Sequence, residues 1–115
     1  MALTKLRECL GKYEAYLFTV YPRATARVYS IGLDHFLTKF PDKKRPSDFE
    51  RVDVEDYKLW RQRDGVAKAT LERELIAARG FFDFVIEMYE IPMVNPVALK
   101  PRRRPPNRAL PTPLA

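Results

Sequence analysis

Four apolar stripes of helical period, each closed off by a proline or a glycine, leave this chain little choice of fold. Leu3, Leu6, Leu10, Tyr13, Leu17 and Val20 recur at steps of three and four and stop before Pro22. That spacing sets them on one face of an amphipathic helix. Gly11 inside it costs roughly 1 kcal/mol relative to alanine. A second segment lies between Pro22 and Pro41, with Tyr29, Leu33, Phe36, Leu37 and Phe40 on its inward face and Arg23, Arg27 and Ser30 on another. After the polar loop PDKKRPSD, Asp53 opens a third helix, with Asp56 at the capping-box distance, Tyr57 and Trp60 as inward anchors and Gly65 as the stop. The fourth runs from about Ala67 to Tyr89 on Leu71, Leu75, Ala78, Phe82, Val85 and Tyr89. RVDVEDY holds a brief polar–apolar alternation, and no longer strand pattern occurs. The predicted fold is all-α, a compact bundle of four main helices.

The prolines also mark where that bundle ends. Seven of the ten fall in the last 24 residues. Each lacks an N–H and restricts its predecessor, so regular helix is barred there. The expected division is a helical domain over residues 1–97 and a linker over 98–115. Charge divides at nearly the same place. Sixteen of the 21 Lys and Arg and all 15 acids lie at or before Glu90, a balance of +1. Lys100, Arg102, Arg103, Arg104 and Arg108 then follow with no acid among them. A near-neutral fold carrying a basic arm differs from an evenly basic protein. Cys9 is the one cysteine, so no intrachain disulfide can form, in keeping with a reducing compartment. No apolar run has signal-peptide or membrane-span length, and the reading is a soluble intracellular protein. No internal repeat is found.

Several motifs, in order, resemble one family. ATARVYSIGLDHF in the second segment is similar to the T…Y…L..F pattern of the N-terminal core-binding domain of tyrosine recombinases of the phage-integrase type. The likeness continues through VDVEDYKLW and Gly65. ATLERELIAARGFFDF then resembles the family's T-I-x-R-x-L-S-A-L-R-x-F-F-x-F, with Thr70, Leu71, Arg73, Leu75, Arg79, Phe82 and Phe84 at matching places. Asn95-Pro96-Val97 stands where that family ends the domain on Asn-Pro, and RALPTPLA resembles the opening of its catalytic domain.

The resemblance implies a SAM-like core-binding domain that holds duplex DNA, within a clamp completed by a catalytic domain and joined to it by a basic linker. It implies other recombinase protomers as partners and a bacterial, phage or mobile-element setting, with no membrane and no small-molecule substrate. The family's chemistry forms a phosphotyrosyl intermediate in a C-terminal domain. Here the single histidine, His35, is followed by Phe-Leu-Thr where the family has His-x-x-Arg. No tyrosine stands out as nucleophile, and no catalytic residue, metal site or cofactor is expected in this chain.

The candidate DNA contacts are Arg23, Thr25 and Arg27 at the start of the second helix and Lys68, Thr70 and Arg73 at the start of the fourth, with Lys100, Arg102, Arg103 and Arg104 along the arm. Helix N-termini favour anions, and a side chain such as Arg73 is suited to guanine. The plainer reading of each arginine is a solvated helix face, and of the arm an import peptide. Glu72 and Glu74 flank Arg73 and would repel phosphate unless they lie off the face or in salt bridges. Arg79 has a structural alternative, an ion pair with Asp83 at i+4. Lys43-Lys44-Arg45 is either a mobile basic loop or a supporting phosphate contact. The clustered aromatics are expected in the core, with Phe81 or Phe84 left over for a partner protomer, and His35 and Cys9 as packing residues. The competing class is a helical protein-interaction module whose basic tail is disordered.

Overall fold

The computed structural model describes residues 5–97. Four helices carry the fold: α1 (Leu6–Val20), α2 (Arg23–Thr38), α3 (Arg51–Arg63) and α4 (Lys68–Met88), with a short 3-10 turn at Pro46–Asp48 in the loop before α3. There is no strand among the described residues, and RVDVEDY is helical. The arm cations Lys100, Arg102, Arg103 and Arg104 lie outside the described residues.

Prolines and glycine set the bounds in the expected places. Pro22 is the N-cap of α2. Gly65 ends α3 with φ +79°, a conformation a side chain resists. Its N–H donates to the Gln62 carbonyl and that of Val66 to the Arg61 carbonyl, at 3.0 and 3.2 Å, which completes a Schellman turn into α4. The start of α3 differs from expectation. Asp53 is the third residue of the helix and not its cap: its carboxylate accepts the Glu50 N–H at 2.8 Å. The carboxylate that looked like an opening cap is therefore the far half of a capping box begun by Glu50.

α4 is the spine. It packs most extensively on α2 and also meets α1 and α3. Gly32 permits the α2–α4 approach, since a Cβ there would lie 3.3 Å from that of Ala77. Between α1 and α4, a Cβ on Gly80 would lie 2.8 Å from the Tyr13 hydroxyl. The aromatic core joins Phe36, Phe40, Phe49, Tyr57 and Phe82, with neighbouring ring centroids 4.8–6.3 Å apart. Phe81 is not left over for a partner. It is fully buried against Tyr13 and Phe82, because α4 has a helix on more than one side. Phe84 is half-buried against Tyr13 and Tyr16. On α1 the buried line is Cys9, Tyr13 and Leu17, whereas Val20 is exposed. Burial, with Glu8 nearby, pushes the Cys9 thiol up to about 11.

Candidate nucleic-acid interface

The two helix starts picked out by the sequence meet across one groove of about 360 Å³. Its walls are Thr25, Val28 and Tyr29 of α2 and Ala69, Glu72, Arg73 and Ile76 of α4. Both sets step by three and four residues, so each is one helical face. The Gly32 crossing brings these faces together, since Thr25 lies two turns before Gly32, about 10 Å along the helix axis. Arg23, Arg27 and Lys68 are exposed around the same helix starts without lining the groove. Thr70 is half-buried. Among the described residues, no acid lies within salt-bridge distance of Arg23, Arg27, Lys68 or Arg73.

The helix ends at this groove differ from the others. Neither α2 nor α4 has an acid in its first turn, and neither has a capping side chain. Their first amide N–H groups keep the partial positive charge of an unfilled helix start. By contrast α3 is closed by Glu50 and Asp53, and α1 carries Glu8 in its first turn.

The two acids flanking Arg73 have opposite fates. Glu74 points inward and is 4% exposed. Its Oε1 accepts the Tyr57 hydroxyl at 2.6 Å and Arg61 Nε at 3.0 Å, and its Oε2 accepts Arg61 Nη2 at 2.7 Å. Burial alone would raise its pKa. The Arg61 and Tyr57 hydrogen bonds, with the charges of Arg61 and His35, outweigh burial and hold the carboxyl below its usual range. Tyr57 is shifted upward by burial and by Glu74. Glu74 thus adds no free negative charge to the groove. Glu72 is exposed and does line it. His35 is no packing residue: its side chain is 51% exposed, with Nδ1 3.9 Å from Glu74 Oε2.

Other basic residues are spent locally or stand elsewhere. Lys43 pairs with Asp53 at 3.2 Å and Arg45 with Asp48 at 3.6 Å. With Lys44, Lys5 and Arg7 they rim a separate groove that is also lined by Leu37 and Phe40, at the other end of α2. Arg79 lies 3.9 Å from Asp83 and donates to the Val97 carbonyl at 3.1 Å. Asn95 Nδ2 donates to the Arg79 carbonyl and to Asp83, and its Oδ1 accepts the Val97 N–H. The Asn-Pro-Val motif is therefore a clip that ties residues 95–97 to α4. Val28, Ala69 and Ile76 line the groove although none of them is a candidate contact by sequence. Their signal was present as apolar residues spaced three and four from the candidate polar ones.

This is an all-α bundle with one mixed polar and apolar groove between two acid-free helix starts. Residues 10–88 match the family described as phage integrase, N-terminal SAM-like domain, and the chain belongs to that family. No curated protein and no solved structure matches the chain significantly. Among the described residues no helix is long and apolar enough to cross a membrane, and no cluster of His, Cys, Asp or Glu could hold a metal ion.

Proposed function

We propose that the chain is the core-binding module of a tyrosine site-specific recombinase or integrase, holding duplex DNA for recombination. One observation carries the reading: two uncapped, acid-free helix starts meet at one groove, while Glu74 is turned inward and neutralised by Arg61. Arg23 and Arg27 on α2 and Lys68 on α4 take phosphates beside those starts. Thr25, Thr70 and Arg73 face the major groove. Lys100, Arg102, Arg103 and Arg104 follow the backbone as residues 98–115 lead away from the Asn95 clip toward a catalytic domain. That domain supplies the tyrosine nucleophile and strand exchange, and protomers of the same recombinase assemble on the DNA inside a cell of bacterial, phage or mobile-element origin.

Neutralising about six phosphates gives a slope of log K against log salt near −5, and non-specific affinity on the order of 10⁻⁴–10⁻⁶ M. A salt titration of duplex retardation with the full chain tests this. Ending the chain after Val97 should weaken binding and leave residual affinity in the bundle. Affinity that vanishes with the arm would favour an interaction module with a basic tail. No retardation at low salt, or retardation with no salt slope, would overturn the proposal.

A further inference from the structure

The groove between α2 and α4 supports a finer statement, which rests on the DNA reading above. Its lining holds one cation, Arg73, and one anion, Glu72. Such a net-neutral surface is poorly matched to phosphate. Arg23, Arg27 and Lys68, exposed and with no acid within salt-bridge distance among the described residues, lie outside it. The rest of the lining is rich in methyl groups, from Thr25, Val28, Ala69 and Ile76. Val28 and Ile76 are 44% and 48% exposed, so their apolar surface is not consumed by the bundle. Base edges in the major groove match this inventory. Thymine is the base that presents a C5-methyl there, guanine presents the N7 and O6 acceptors that suit a guanidinium, and cytosine presents an N4 amino donor that suits a carboxylate.

We propose that this groove reads a base step in which thymine lies beside a G·C pair. The methyl groups of Val28, Ala69, Ile76 and Thr25 cover the thymine methyl. Arg73 donates to guanine N7 and O6, and Glu72 accepts from cytosine N4. Glu72 also works against other sequences. A base edge that offers it an acceptor, or a register that brings it to a phosphate, leaves its charge facing charge of the same sign.

The test starts from a pool of random 20-base-pair duplexes. Those retained by the full chain at low salt are sequenced, and the most enriched duplex is remade with deoxyuridine replacing one thymine at a time. The inference expects enrichment of a motif with thymine beside G·C. Deoxyuridine at that thymine should weaken binding about fourfold, the loss of one buried methyl. Val28→Ala, a change at an exposed site, should erase most of the difference between the thymine and deoxyuridine duplexes. Glu72→Gln should relax the preference for cytosine. If duplexes are retained with the expected salt slope but no motif is enriched, or deoxyuridine is neutral at every position, this inference fails and the DNA reading stands. If no duplex is retained, both fall.

Discussion

Replacing Arg61 by methionine removes the guanidinium from Glu74 while keeping an apolar stem of similar length. The pair is buried, with side-chain exposures of 14% and 6% for Arg61 and Glu74. Its two hydrogen bonds to Glu74, at 3.0 and 2.7 Å, would be lost, along with a third to the exposed Asp64 at 3.3 Å. Breaking a buried pair from one side costs about 3–5 kcal/mol, because the other charge is left unpaired. The Tyr57 hydroxyl at 2.6 Å remains, so the lower end, about 3 kcal/mol, is expected. That is a large share of the roughly 5–15 kcal/mol that holds a domain folded. Urea unfolding followed through Trp60, the one tryptophan, at pH 7 and pH 4 provides the assay. In the native protein the Glu74 carboxyl is held below its ordinary value, so its stabilisation is present at pH 7 and is lost as pH falls through that lowered value. In the variant burial is no longer offset and the folded carboxyl rises above the ordinary value. Its penalty is absent at low pH and grows as pH climbs. The gap between the two proteins should therefore narrow from pH 7 to pH 4. Arg61→Met combined with Glu74→Leu should recover most of the loss. A gap under about 1 kcal/mol at pH 7, or one that is the same at both pH values, would refute the argument that this pair is buried and coupled.

Gly65→Ala forces a side chain onto φ +79° and should cost about 1 kcal/mol, read as a thermal midpoint lower by about 4–8 °C. Glu90 holds φ 52° just past α4, where Ile91 N–H donates to the Ile86 carbonyl. Glu90→Gly should stabilise by about 0.5–1 kcal/mol in the same melt. Asn95→Ala removes the three side-chain hydrogen bonds of the clip and should cost about 1–3 kcal/mol. It should also speed hydrogen exchange at the Val97 amide well beyond that of amides in the middle of α4.

The helices were legible in the amino-acid sequence. A period of 3.6 and the punctuation at Pro22, Pro41 and Gly65 are local properties, and they gave four helices in order with ends close to those observed. The motifs in ATARVYSIGLDHF and ATLERELIAARGFFDF were enough to reach the family. The partners of charged side chains were not legible, because they depend on which helices cross and where. Glu72 and Glu74 stand two residues apart, yet one lines an open groove and the other is sealed against Tyr57 and Arg61 from α3. Residues two apart on a helix point about 200° away from each other, and only the packing of α3 on α4 says which of the two is covered. The same holds for Phe81, buried because α4 lies between other helices, and for Asp53, whose role follows from the turn at Glu50. The groove that unites Thr25 with Arg73 joins faces far apart in the chain, and the α2–α4 crossing at Gly32 is what brings them together.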